Sequence, residues 1–335
     1  MNKRPISLIT GATGLAGRAL SKRLLEKGHE LRILVLEDDP LLADFVENCP
    51  DINSVEVCKG DITNYESIVP YFNNVSCVYH VAALVTGAHP KSVYEKVNVL
   101  GTKNVLEAVI NANVPRLIAV ATADVYGMPN GEVFTDTSEY RYWQDFYADS
   151  KIDAAKMVKQ YVKERGVNAT IIHPGWVYGP GDQNLIPAIV EMLQSGWVVT
   201  WGAMKMSKLD MIHVDDLANA MIMAASDAQT IGKDIIVSDN SEEITFPMLV
   251  ELVAKQLKCS YRTIHLPYWL MMAIAKTSKL LKKIGVVEDV LLSPTDVRGF
   301  GLIFSFAPRA AKAMGWQRKV DTRKAFSDCA EQAKL

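Results

Sequence analysis

The sequence predicts an α/β fold, a doubly wound parallel sheet with a smaller C-terminal lobe, on three observations. Short apolar runs alternate with helical patterns through the first half. A glycine-rich turn joins the first run to the first helical pattern. After Pro180-Gly181 the alternation loosens. In order, the runs are Ile6–Ile9, Leu31–Leu36, Val55–Cys58, Cys77–Val81, Arg116–Ala121 and Ala169–His173. The helical patterns between them are Leu15–Lys27, Pro40–Asn48, Tyr65–Tyr71, Val93–Ala112 and Tyr147–Arg165. Parallel strands covered on both faces carry continuous apolar runs, as these do.

Beyond the break, Leu185–Leu193, Asp215–Ala225 and Pro247–Leu257 read as helices and Asp234–Ser238 as a strand. From Tyr261 the chain reads as apolar and irregular, punctuated by Gly285, Pro294, Gly299, Gly301 and Pro308. We therefore expect a first domain over residues 1–180, to which 210–240 return. Residues 181–209 and 241–335 would form the substrate-binding lobe.

The 335 residues are 49% hydrophobic and 22% charged, with a formal net charge of -2, an ordinary globular balance. No basic stripe marks a nucleic-acid partner. Cys49, Cys58, Cys77, Cys259 and Cys329 are scattered, which fits reduced thiols in the cytoplasm. No H-E-x-x-H spacing or Cys/His cluster marks a metal. The basic start Met1–Pro5 lacks the apolar stretch of a signal peptide. Leu266–Ala275 is about half the roughly 20 residues of a membrane span. With Lys276, Lys279, Lys282 and Lys283 behind it, it reads as a core helix with a solvated end. Peripheral membrane contact through 266–287, or a cap on an apolar pocket, are the alternatives.

The turn Ile9-Thr10-Gly11-Ala12-Thr13-Gly14-Leu15-Ala16-Gly17 follows a strand and opens a helix. Gly11 permits a tight turn, Gly14 lets backbone approach a pyrophosphate, and Gly17 lets helix and strand pack closely. Uncapped N–H groups at the helix start favour phosphate. The cofactor-facing positions are Gly11, Thr13, Gly14, Leu15, Ala16 and Gly17. Farther on, Tyr147 and Lys151 stand at i and i+4, on one helix face. A free phenol has a pKa of about 10, and a neighbouring cation lowers it. Such a tyrosine can pass a proton to or from a substrate oxygen.

The G-x-x-G-x-x-G spacing, with these residues in this order, resembles the extended branch of the short-chain dehydrogenase/reductase superfamily. The likeness covers most of the first 220 residues and implies a Rossmann domain binding NAD(H) or NADP(H). Lys59-Gly60-Asp61-Ile62 resembles the adenine contact, with Asp61 accepting from the adenine amino group and Ile62 beside it. His80-Val81-Ala82-Ala83 resembles the fourth-strand stretch against the cofactor. Asn98 matches a structural asparagine counted with the catalytic set. Ala121-Thr122-Ala123-Asp124-Val125-Tyr126-Gly127 resembles S-S-x-x-V-Y-G, which places the substrate-facing hydroxyl on Thr122. His173-Pro174-Gly175-Trp176-Val177-Tyr178-Gly179-Pro180-Gly181-Asp182 resembles R-P-x-x-V-Y-G-P-G-D, with Pro174 and Val177 near the nicotinamide. There His173 replaces arginine, which puts local salt bridging in question. His213 and Asp215 are expected to be structural.

In Leu34-Val35-Leu36-Glu37-Asp38-Asp39, Glu37 and Asp38 favour NAD(H) by their charge; a solvated acidic turn is the alternative. The G-P-G-D form and the apolar C-terminal region resemble the 3β-hydroxysteroid dehydrogenase and dihydroflavonol-reductase-like group. That implies hydride exchange with a carbonyl or secondary alcohol of a fairly hydrophobic small molecule. Pro267-Tyr268-Trp269-Leu270-Met271-Met272 would wall its pocket. A nucleotide-sugar epimerase or dehydratase, with Arg262, Arg298 or Arg309 on the diphosphate, is one alternative. A non-catalytic NAD(P) sensor or scaffold is another. The resemblance also implies a homodimer.

Overall fold

The computed structural model describes residues 4–85, 89–129, 131–206, 208–239, 244–283 and 292–332. The first half runs β1 (Ile6–Thr10), α1 (Leu15–Glu26), β2 (Glu30–Val35), α2 (Leu42–Glu47), β3 (Val55–Lys59), α3 (Tyr65–Ile68), β4 (Cys77–His80), α4 (Lys91–Tyr94), α5 (Gly101–Asn111) and β5 (Leu117–Val120). It continues with β6 (Phe134–Thr135), α6 (Phe146–Arg165), β7 (Ala169–Pro174) and β8 (Trp176–Tyr178). The second half runs α7 (Leu185–Gln194), β9 (Trp197–Trp201), β10 (Met211–His213), α8 (Val214–Ser226), β11 (Asp234–Val237), α9 (Phe246–Leu257), β12 (Arg262–Leu266), α10 (Tyr268–Lys283), α11 (Pro294–Gly301), β13 (Phe306–Ala307), α12 (Arg309–Ala313) and α13 (Thr322–Gln332).

Seven parallel strands form one sheet in the order β11-β7-β5-β4-β1-β2-β3. The order reverses between β1 and β4, and ligands of open α/β sheets bind at such a switch point. Successive strand residues point to opposite faces. Ile9 therefore joins the apolar layer under α1 and α8, while Leu8 joins the layer under α5 and α6. Both are fully buried, which is why the strands read as unbroken apolar runs.

A separate apolar cluster, with Ile189, Trp201, Leu249, Met271 and Phe326, holds α7, α9, α10 and α13 together. Between it and the sheet, Tyr126, Phe134 and Phe306 pack as one aromatic group, and β13 pairs with β6 through Phe306 and Phe134.

The stretch after Tyr261 is not irregular. It holds β12, α10, α11, β13, α12 and α13. Strand β12 is mostly exposed and pairs with β9, so its polar residues carry no core pattern. The pattern Val93–Ala112 is three pieces, with a π-helical segment over Glu95–Leu100 between α4 and α5. Helix α10 buries Met271 and Ala275 but exposes Trp269 (69%) and Leu280 (58%), so only its inner face belongs to a core. Residues 284–287 of the proposed peripheral segment lie outside the described residues. Among those described, no helix is long and apolar enough to cross a membrane.

The edge strand is fastened by charge. Asp234 of β11 meets His173 Nε2 at 2.9 Å and also takes hydrogen bonds from Lys159 and Tyr140. The salt bridge at this place comes from Lys159 to Asp234, with His173 in hydrogen-bond contact with the same carboxylate. Burial pushes the Asp234 carboxyl up, but His173, Lys159 and Tyr140 outweigh it and hold it at about 2, below the usual 3.8. A depressed carboxyl stabilises the fold above its unfolded value and stops doing so as pH falls through the folded one. Asp234→Asn is expected to cost on the order of 2 kcal/mol at neutral pH. In urea melts, the gap to the parent should close from about pH 4 toward about 2. A gap unchanged across that window would contradict the assignment.

Candidate active site

The glycine turn leaves β1 at the switch point. Gly11 adopts φ +72°, and a Cβ there would stand 2.8 Å from Ala82 Cα beyond β4. A Cβ on Gly17 would collide with the Gly11 carbonyl and stand 2.7 Å from Ala12 Cα. Gly14 caps α1 with no side chain, and the first turn of α1 carries no acidic residue. The free N–H groups and the helix dipole make this end a seat for an anion. Leu15 and Ala16 are half-buried behind it.

The carboxylate beside the turn is Asp39, which accepts from Thr13 Oγ1 at 2.8 Å. Glu37, expected there, is exposed, and its carbonyl takes the Lys59 ammonium at 2.7 Å. Strand β2 ends at Val35 and the chain turns just beyond it, which leaves the Glu37 side chain in solvent. Asp61 Oδ1 accepts from Thr63 N at 2.8 Å, and Ile62 packs beneath Gly101. Val81 and Ala82 are half-buried just past β4.

The His80 ring is a core group. It bridges Thr10 Oγ1 (2.8 Å) and Thr102 Oγ1 (3.0 Å), tying β1, β4 and α5 together. Burial, and then the Lys151 charge, lowers its pKa to about 3, so the ring is neutral. Any contact of His80 with a cofactor must pass through its backbone. Asn98, in the π-helical segment, accepts from Leu84 N (2.8 Å) and donates to Leu84 O (3.0 Å) and Ser150 Oγ (2.9 Å). It clamps the loop after β4 to α6 one residue before Lys151.

On α6, whose N-cap is Asp145, Tyr147 lines a cavity of about 830 Å³. Lys151, one turn on, is buried and donates to Val120 O at 2.8 Å. Burial lowers the Lys151 pKa to about 8. Tyr147 departs from the sequence expectation. Burial, and next the Asp124 carboxylate, raise its pKa above the ordinary phenol value, while the Thr122 hydroxyl opposes them. Thr122 also differs from expectation, because its hydroxyl donates to Asp124 Oδ2 at 2.9 Å. Asp124, which the sequence reading passed over, lines the cavity, and burial raises it to about 6.

The cavity walls are aromatic: Trp143, Trp176, Phe300, Phe304 and Phe306. Trp176 meets Phe300 edge-on, ring centroids 4.6 Å apart. Pro174 is also in the wall; Val177 is half-buried in β8, paired with Ile212. The stretch Pro267–Met272 does not line the cavity. Tyr268, Met271 and Met272 pack into the second apolar cluster and Trp269 faces solvent. The cavity is walled by α11 and the strand after it instead. Its charged lining is Asp124, Asp145, Asp210 and Asp296 against Lys208 and Lys282, and no arginine lines it among the described residues. Arg262 lies over the Trp197 ring, 5.5 Å from its centroid. His213 caps α8, accepting from Asp215 N at 3.2 Å, and Asp215 pairs with Arg23 at 3.2 Å.

The family model for the NAD dependent epimerase/dehydratase family matches residues 7–238. The chain belongs to that family. It is an NAD-dependent enzyme of the extended short-chain dehydrogenase/reductase kind. A 3-beta-hydroxysteroid dehydrogenase of Mycolicibacterium neoaurum is 28% identical, over 96% of this chain and 89% of the relative. The sterol-4-alpha-carboxylate 3-dehydrogenase, decarboxylating, of Homo sapiens is 25% identical, over 92% and 83%. A UDP-glucose 4-epimerase of Vibrio cholerae is 26% identical, over 78% and 79%. In fold, the chain matches the crystal structure of gox2253 with TM-score 0.80 at 23% identity, covering 99% of this chain and 98% of that one. It matches a UDP-glucose 4-epimerase of Thermus thermophilus, solved as a complex with NAD, with TM-score 0.74 at 20% identity, covering 98% and 99%.

The family's NAD fits the residues present. The uncapped α1 terminus and a turn that admits no Cβ at Gly11 or Gly17 suit a pyrophosphate.

Proposed function

We propose that this family member interconverts a secondary alcohol and a ketone on an apolar, unphosphorylated small molecule, with Tyr147 as general acid/base. The turn Gly11–Gly17 would hold the pyrophosphate, Asp39 with Thr13 the adenosine side, and Lys151 the ribose next to Tyr147. When bound, the nicotinamide supplies or takes the hydride. Tyr147 supplies or takes the proton at the substrate oxygen, because its side chain lines the cavity. Asp124 and Thr122 act on its hydroxyl, and Lys151 stays behind it. The acidic Asp39 beside the turn favours NAD over NADP, since a 2′-phosphate would meet a carboxylate. Five free cysteines fit a reducing compartment.

One observation carries the substrate class: an aromatic cavity whose charged lining is mainly carboxylate, with no arginine among the described residues. A nucleoside diphosphate brings negative charges that such walls repel, and arginine is the residue suited to bind it. Arg298 and Arg309, weighed for that task, are not in the lining. The test is an NADH-consumption screen over ketones of graded size, including a 3-keto steroid, with UDP-glucose in parallel. We expect turnover of the bulky apolar ketones and none of UDP-glucose. Formation of UDP-galactose without net change in NADH would reverse the assignment. With NADPH in place of NADH, kcat/KM is expected to fall at least about tenfold, on the order of one like-charge contact, and Asp39→Asn should narrow that ratio.

A further inference from the structure

We propose that Asp124 is a positioning residue at the far end of a three-residue proton path, Asp124–Thr122–Tyr147, which sets the proton on the Tyr147 phenol. This rests on Tyr147 being the general acid/base. The Thr122 hydroxyl donates to Asp124 Oδ2 at 2.9 Å, and Asp124 N–H donates back to Thr122 Oγ1 at 3.2 Å. Tyr147 lines the same cavity as Thr122 and Asp124, and its phenol responds to the Thr122 hydroxyl and the Asp124 charge.

A hydroxyl has one proton to give. While Asp124 is ionised, Thr122 spends that proton on the carboxylate and can only accept from Tyr147, so the phenol stays protonated. When Asp124 carries a proton, Thr122 is released to donate to a phenolate. The state of the carboxyl and the state of the phenol are therefore coupled through one rotatable O–H bond.

The surroundings keep both carboxyl states within reach. The charge of Asp145, the N-cap of α6, acts on both Asp124 and Tyr147, and Tyr94 of α4 acts on Tyr147. His173 of β7 meets the Thr122 carbonyl at 3.1 Å, and Lys151 holds Val120 O two residues upstream. Burial and the Asp145 charge raise the carboxyl, Thr122 lowers it, and it comes to about 6.

In ketone reduction the substrate O–H bond forms as the Tyr147 O–H bond breaks. The Tyr147 O–H bond re-forms from Thr122, and the Thr122 O–H bond re-forms from the Asp124 carboxylic acid. Asp124 is left as carboxylate and regains a proton from water in the open cavity. The hydride comes from the reduced cofactor, which is oxidised. Alcohol oxidation runs the same path backwards, with Asp124 starting as carboxylate.

The test compares the parent, Asp124→Asn and Asp124→Glu, in kcat and KM against pH in both directions. In the parent, ketone reduction should weaken and alcohol oxidation strengthen as pH rises through about 6. Asp124→Asn should lower kcat about 10- to 100-fold and abolish that limb, since an amide sheds no proton. NADH affinity should stay unchanged. Asp124→Glu should restore a limb displaced toward its own pKa. A parent-like pH limb in Asp124→Asn would overturn the path, whatever its kcat. If Asp124→Asn fails to fold, the Asp124→Glu profile decides: an unmoved limb overturns the path. If Tyr147→Phe proved active, the acid/base reading itself would fail, a result distinct from both.

Discussion

Tyr147→Phe is expected to lower kcat by about 10²- to 10⁴-fold while NADH affinity stays within about twofold. Tyr147 is the one hydroxyl-bearing residue of α6 in the cavity lining, its phenol responds to Thr122, and it lies one turn from Lys151. Phenylalanine keeps the ring and its packing and removes only the exchangeable proton. Lys151 donates to the Val120 carbonyl and does not line the cavity, so it does not stand where the phenol meets the substrate oxygen. Burial and Asp124 keep the phenol protonated in the chain as it stands, which suits it to act first as an acid. Stopped-flow NADH oxidation with a reactive ketone, beside NADH fluorescence titration, separates the two effects. Loss of binding together with turnover would mean that Tyr147 acts through the fold.

Gly17→Ala is the second large effect. The added Cβ would meet the Gly11 carbonyl inside van der Waals contact and stand 2.7 Å and 2.9 Å from Ala12 Cα and C. These are backbone atoms of a turn clamped between β1 and Ala82, so they cannot yield as a side-chain tip would. We expect a loss of about 1–3 kcal/mol in stability from overpacking. NADH affinity should fall more than tenfold, because the turn must shift away from the pyrophosphate seat. Thermal melts with and without NADH check both. Gly28→Ala, where an added Cβ meets nothing within 4 Å but φ is +79°, is the comparison: strained backbone, no collision. Equal loss of NADH affinity in the two variants would contradict the packing argument.

Much of this site could be read in the sequence, for identifiable reasons. Tyr147 and Lys151 announce themselves because a helix puts i and i+4 on one face, and the Val125-Tyr126-Gly127 register leads to Thr122. The paired apolar runs of β1, β4, β5 and β7 read correctly because both faces of the sheet are covered. What escaped depends on turns. Asp39 lies four residues past the end of β2, and only the bend of the chain brings it, rather than Glu37, to Thr13. Asp124 sits in a short helical turn after Thr122, where a polar residue in a loop looks solvated. Its neighbours there come from α6, which sequence spacing alone does not reveal. In the C-terminal region the helical reading of Leu266–Ala275 meets α10, whereas β12 carries no strand signal because it exposes Arg262, Thr263, Ile264 and His265 and its partner β9 lies more than sixty residues earlier.

The central claim is that Tyr147 and a bound nicotinamide exchange a proton and a hydride with one carbinol centre in this cavity. Deuterium tracing tests it most directly, with NADH labelled at C4 on the transferred face and a bulky apolar ketone. We expect one deuterium on the carbinol carbon of the alcohol, matched to NAD formed, and no labelled alcohol from Tyr147→Phe above background. An unlabelled alcohol, or label transferred equally well by the phenylalanine variant, would contradict the account.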